Sequence, residues 1–154
     1  MQMDRIRDFY YRTDDTLTGL MNRYGINVLR IAVAVVFIWF GGLKVAGVSP
    51  VGDLVGATVY WVSPEWFVPF LGVWELVVGF GLLLGRYMRL VLLLMFAQLA
   101  GTFLVLIVLP EVAFTGGNPL LLTVEGEFVV KNLVLLAAGI VFGGTLRPER
   151  SENE

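Results

Sequence analysis

The chain has 154 residues, of which 57% are apolar and 16% charged, and a formal net charge of −2. An apolar share of that size cannot be hidden inside a water-soluble domain of this length, so the composition indicates an integral membrane protein. With no cysteine and no histidine, the chain cannot do thiol or disulfide chemistry and lacks the common haem and metal ligands; it shows no basic footprint for nucleic acid either.

In chain order, residues 1–25 come first. Ile6, Phe9, Tyr10, Thr13, Leu17, Leu20, Met21 and Tyr24 recur at helical spacing, with Asp4, Arg5, Arg7, Asp8, Arg12, Asp14 and Asp15 elsewhere around the wheel. The pattern predicts an interfacial amphipathic helix on the cytoplasmic leaflet, the competing reading being a docking helix for a partner subunit. The apolar run that follows ends without a small-residue cleavage site, so it is expected to stay in the membrane rather than be removed as a signal peptide.

Four apolar stretches, 28–48, 66–85, 90–109 and 128–146, are long enough to cross a hydrocarbon core of about 30 Å. The fold class is therefore an all-α integral membrane protein. A four-transmembrane-helix bundle occupies 26–146, followed by a cytoplasmic tail at 147–154. Every cation except Lys44 and Lys131 is an arginine, and the arginines cluster before and at the start of span one (Arg5, Arg7, Arg12, Arg23, Arg30), between spans two and three (Arg86, Arg89), and after span four (Arg147, Arg150). By the positive-inside rule that side is cytoplasmic, which puts both termini inside a multi-pass protein of the cell's inner (plasma) membrane. The opposite loops carry Asp53, Glu65, Glu111, Glu125 and Glu127.

Ser49-Pro50 and Ser63-Pro64 each offer a serine N-cap followed by proline at the first helical position. The first would open a short outer loop helix over 51–62, with Leu54, Val55, Val59 and Trp61 covering the end of the bundle; the second would open span two. Residues 115–119 read as a turn, and Glu125-Gly126-Glu127 as a break before span four.

Small residues four apart, Gly81 with Gly85, Ala97 with Gly101, and Gly139 with Gly143, are expected to mark helix packing. Gly72, Glu75, Gly79, Leu82 and Arg86 share one stripe of span two, and Ala34, Phe37, Gly41 and Lys44 share one of span one, so Glu75 and Lys44 should face inward. A carboxylate in mid-span costs about 2.5 kcal/mol or more to insert, which makes Glu75 a functional-site candidate. It lies about 13 Å below the start of span two, while Lys44 and Lys131 lie about one turn below the outer ends of theirs, a gap that a lysine stem can close. These positions predict an outer-half ligand- or proton-binding cluster of Lys44, Glu75, Gln98 and Lys131, flanked by Trp74, with Thr102 one turn beyond Gln98. The alternative is an ion pair that only fixes helix register, with each lysine, taken singly, snorkelling to the interface.

The run LGVWELVVGFGLLLGRYMR at 71–89 resembles the glycine, glutamate and arginine pattern of the DoxX-like membrane proteins. LRIAVAVVFIWFGGLK at 29–44 is similar to that family's first span and EGEFVVKNLVLLAAG at 125–139 to its last; the first and last spans also resemble the YkgB-like branch. The resemblance implies a four-span bundle, carries over Lys44, Glu75 and Lys131 as polar-pattern positions, and implies an association with quinone-linked redox or oxidative-stress systems. The leading expectation is a small inner-membrane accessory subunit, not a complete enzyme, that holds a quinone or small polar ligand at the Glu75 cluster. It would have no covalent cofactor and no metal, and its partners would be membrane lipid, a redox subunit and a further copy of itself. A proton-coupled carrier and a ligand-free assembly scaffold are the alternatives.

Overall fold

The computed structural model describes residues 2–146, with side chains from Asp14 onward. The tail at 147–154 and the side chains of the first part of the expected amphipathic stripe lie outside the described residues. Four helical segments are long and apolar enough to cross a membrane: Asp14–Val45, Pro64–Leu84, Met88–Val108 and Val124–Gly144. Their outward faces carry large apolar side chains such as Trp39, Val77, Leu93, Ile107 and Ile140, a surface suited to lipid and not to water. The chain is a multi-pass membrane protein.

Helix α1 (Gln2–Val45) is unbroken, so the amphipathic segment before residue 25 and the first span form one element. It stops because Gly47 adopts φ +70, a backbone that favours glycine. Val48 N–H then bonds Leu43 O at 3.0 Å and Gly47 N–H bonds Lys44 O at 3.2 Å, satisfying the last carbonyls in a Schellman motif. This closure fixes Lys44 in the final turn.

The outer loop helix α2 (Gly52–Thr58) is shorter than the expected 51–62 and is not capped by Ser49. Instead Ser49 O accepts from Gly52 N–H at 3.2 Å in a turn that precedes the helix. Helix α3 (Pro64–Leu84) starts where Ser63-Pro64 predicts, with proline in its first turn but no bond from the serine side chain. It ends at Gly85, φ 66.

Span three consists of α4 (Met88–Phe103) and α5 (Val105–Val108), with the interruption at Leu104. Gly101 weakens the helix there, and the Thr102 hydroxyl donates back to Gln98 O at 3.2 Å, a side-chain bond that competes with the backbone ladder. After α6 (Pro110–Ala113), residues 115–119 form the expected turn, with Gly116 and Gly117 at positive φ.

The last span differs from expectation in where it breaks. Glu125-Gly126-Glu127 lies inside α7 (Val124–Lys131), whose N-cap Thr123 accepts from Gly126 N–H at 3.1 Å. Gly126 is there for proximity: a Cβ would collide with Ala113 O. The interruption falls instead at Asn132, whose amide donates to Phe128 O at 2.9 Å and Val129 O at 3.2 Å before α8 (Leu133–Gly144) continues.

Helix α3 packs against α1 most extensively and also against α4, while α8 completes the ring by touching both α4 and α1. Ala34, Val78, Leu82, Met95, Leu99 and Phe142 fill the ring where the loop helix does not reach, each at most 1% exposed. Gly139 admits Met95 and Phe96 at this level, since a Cβ there would stand 2.7 Å from Met95 Cε. The solid half of the bundle is thus the half away from α2.

Candidate ligand site at Glu75

Helices α1 and α3 meet through a reciprocal glycine contact. A Cβ on Gly41 would stand 2.7 Å from Gly72 O and 3.0 Å from Glu75 Cβ, and one on Gly72 would stand 2.7 Å from Gly41 O and 2.8 Å from Lys44 Cβ. Gly41 lies three residues before Lys44 and Gly72 three before Glu75, so each glycine makes room for the charged residue of the opposite helix. Helices in lipid associate through this kind of close backbone approach. Here it puts the ammonium against the carboxylate.

Lys44 Nζ donates to Glu75 Oε2 at 2.7 Å and to Oε1 at 3.0 Å. Both residues are 4% exposed. Gln98 Nε2 donates to Glu75 Oε1 at 2.8 Å and also reaches Thr102 Oγ1 at 3.4 Å. The carboxylate, an acceptor only, fixes the orientation of the amide: the reverse placement would set oxygen against oxygen. Gln98 Oε1 is therefore turned away from Glu75.

Trp74 contributes structurally, donating from Nε1 to Leu94 O at 3.0 Å and so tying α3 to α4. Its ring meets Phe70 edge-on at 5.9 Å. Lys131 is not brought to the cluster. It pairs with Glu127 one turn away at 3.2 Å, with side chains 74% and 57% exposed, an arrangement that contributes little. The helix orientation after the Thr123 cap directs Lys131 outward, and Asn132 takes the inward position.

Beside the ion pair, on the α2 side of the core, lies a cavity of about 380 Å³, within the usual range for small-molecule sites. Its walls are mostly apolar, with Phe37, Phe40, Leu54, Val105 and Phe128 among them, and Lys44, Glu75, Gln98, Thr102 and Asn132 supply polar points. Among the described residues, Arg30 Nε, Ser49 Oγ and Gln98 Oε1 are buried polar side-chain atoms without a hydrogen-bond partner. Of these three residues, Gln98 alone borders the cavity. Leaving such an acceptor unsatisfied costs about 1–3 kcal/mol, which a ligand donor would recover.

The DoxX family model matches residues 25–108. This chain belongs to the DoxX family. The match takes in Lys44, Trp74, Glu75 and Gln98 while stopping short of Lys131. No curated protein and no solved structure matches the chain. Among the described residues no group of three or more acidic side chains could hold a metal ion.

Sequence reasoning missed the reciprocal glycine contact, although Gly41 and Gly72 stand on the same stripes as the two charges. It also passed over Asn132, a polar residue in an apolar run next to the more conspicuous lysine.

Proposed function

We propose that this DoxX family protein holds an apolar molecule with a small polar head, a quinone in the leading case, with the head at Lys44, Glu75 and Gln98. The observation that carries this reading is the Gln98–Glu75–Lys44 chain in the wall of an otherwise apolar cavity, with hydrogen-bonding capacity left over. Lys44 has three N–H donors and among the described residues only Glu75 is its hydrogen-bond partner, while Gln98 Oε1 has no partner there. A quinone and its hydroquinone fit these features: apolar walls for the ring and tail, a Lys44 donor for an oxygen of either form, and Gln98 Oε1 for a hydroxyl of the reduced form. Lys44 would donate to an oxygen of the head, Gln98 Oε1 would accept from a hydroxyl of its reduced form, and Glu75 would hold both residues in place; the quinone, when bound, supplies the electron and proton chemistry.

In this proposal the protein is an accessory subunit of a quinone-linked redox or redox-stress system in the inner membrane, with both termini cytoplasmic. The arginine distribution supports that orientation. The part of α1 before span one continues that span as one unbroken helix, so in this proposal its exposed Leu17, Leu20, Met21 and Tyr24 meet the cytoplasmic leaflet where the helix leaves the membrane rather than by lying along it. The test is mass spectrometry of small molecules extracted from wild type and from Glu75→Gln, both prepared in native lipid discs. Near-stoichiometric quinone that is lost in the variant is the expected result; no specific molecule in either sample overturns the proposal.

A second reading has its own observation. The Gly41–Gly72 contact beside the ion pair would fix the register of α1 against α3 without any ligand. A scaffold of this kind predicts that deleting the protein lowers the abundance of a partner subunit, while purified protein carries no bound molecule.

A further inference from the structure

We propose that Gln98 selects ligands by the hydrogen bonding of their heads, favouring a head that carries an O–H or N–H donor over one that carries only acceptors. The inference rests on the ligand-holding reading of the cavity and adds the chemical class of the head: a phenol, a hydroquinone or another hydroxyl on an apolar body.

The argument is one of unused valence. Both donor hydrogens of the Gln98 amide are engaged, by Glu75 Oε1 at 2.8 Å and by Thr102 Oγ1 at 3.4 Å. The Thr102 hydroxyl hydrogen is engaged as well, since it donates to Gln98 O at 3.2 Å. The amide cannot rotate by half a turn to offer a donor to the cavity without bringing Oε1 against the Glu75 carboxylate. What Gln98 has left is therefore an acceptor, and it is buried without a partner. The same carboxylate oxygen also accepts from Lys44, 3.0 Å away, whose second bond goes to Oε2 and which has one N–H still to give. A hydroxyl both donates and accepts; with Gln98 in the cavity wall and its Oε1 closed off from solvent, such a head satisfies Oε1 and Lys44 together once the amide end tilts toward it. A carbonyl or ether oxygen can use Lys44 only and would leave Gln98 Oε1 shut away from water. For a redox-active ring, the site thus holds the reduced, hydroxyl-bearing form more tightly than the oxidised form.

The test uses a redox-inert matched pair, 4-decylphenol and 4-decylanisole, which differ by a methyl group on the oxygen. Binding to the full chain in lipid discs is measured by titration calorimetry and corrected for partition into empty discs. The expected result is that the phenol binds wild type about tenfold more tightly, the worth of one hydrogen bond to a buried acceptor, and that Gln98→Met brings the two within about twofold. If Gln98→Met does not fold, Gln98→Asn, which withdraws the amide by one methylene, should erase the preference likewise. Equal binding of both probes to wild type overturns the inference and leaves the cavity as a ligand site. A phenol preference that survives the Gln98 variants shows that another acceptor reads the head and also overturns it. Binding of neither probe above empty discs removes the ligand-holding reading itself.

Discussion

Gly41→Ala tests the geometry on which the site depends. The new methyl would stand 2.7 Å from Gly72 O and 3.0 Å from both Glu75 Cβ and Leu76 N, where ordinary contact begins at 3.4 Å. Each obstacle is backbone or the first carbon of a side chain, so no rotamer change relieves it, and α1 and α3 must part by about 0.7 Å. Overpacking of this kind costs about 1–3 kcal/mol. The adjacent Gly42 is an internal control, because a Cβ there meets nothing within 4 Å. Alanine in place of a helical glycine gains about 0.5–1 kcal/mol by restricting the unfolded chain. Gly41→Ala should therefore destabilise and Gly42→Ala should be neutral or stabilising, a difference in sign between neighbouring residues. Reversible unfolding by denaturing detergent in mixed micelles reads the difference. Equal effects of the two substitutions would refute the close-contact argument and, with it, the account of how Lys44 reaches Glu75.

The ion pair itself should show strong coupling: Lys44→Met and Glu75→Leu alone each leave a buried charge without its partner and should cost about 3–5 kcal/mol, while the double variant should return close to wild type. The same unfolding titration measures this, and additive losses would show that the pair is not the unit. Lys131→Ala should change stability by less than about 0.5 kcal/mol, because its pair with Glu127 is exposed; a loss comparable to that of Lys44→Met would mean that Lys131 reaches the cluster after all. Thr123→Val removes both the cap on Gly126 N–H and the hydroxyl bond to Val112 O at 2.5 Å, and should cost about 1–2 kcal/mol. Amide exchange confined to the first turn of α7 would confirm the place of that loss, and unchanged exchange there would refute it.

Hydropathy made the spans legible because an apolar run of about 20 residues has few ways to be satisfied other than crossing a bilayer. Glu75 stood out for the complementary reason, as a charge where charge is expensive, and Lys44 and Gln98 lay at compatible depths. Lys131 lay at a compatible depth too, and depth alone could not separate the lysines. What separated them was rotation about the helix axis. For Lys44 that rotation is set by the glycine contact, and for Lys131 by the Thr123 cap and the turns before it, both of which depend on pairings between elements. Gly126 shows the same difficulty: glycine reads locally as a break, yet here it allows Ala113 O to approach a continuous helix. Ser49 was misread for a related reason, since Ser-Pro marks a helix start or an isolated turn equally well until the following residues are placed.

Glycine placement also explains why the cavity lies where it does. Gly139 lets Met95 and Phe96 close the half of the ring away from α2, whereas Gly101 on α4, which borders the cavity, has nothing within 4 Å of where its Cβ would be. The same residue type that removes space in one half leaves it in the other, because in the second half the opposing positions are held back. Phe40 on α1 meets Phe128 on α7 edge-on at 5.7 Å, an aromatic pair that spaces these helices, and α2 lies across the end with Leu54 and Val55 in the cavity wall. The α1–α3 seam stays tight at this level through Gly41 and Gly72, and it is the seam that carries both charges. A bundle that closed all its seams with glycine would bury Lys44 and Glu75 as a register pin alone. A cavity beside that pin leaves the free valences of Lys44 and Gln98 on the wall of an apolar space, which is the condition for reading the head of a molecule drawn from the bilayer.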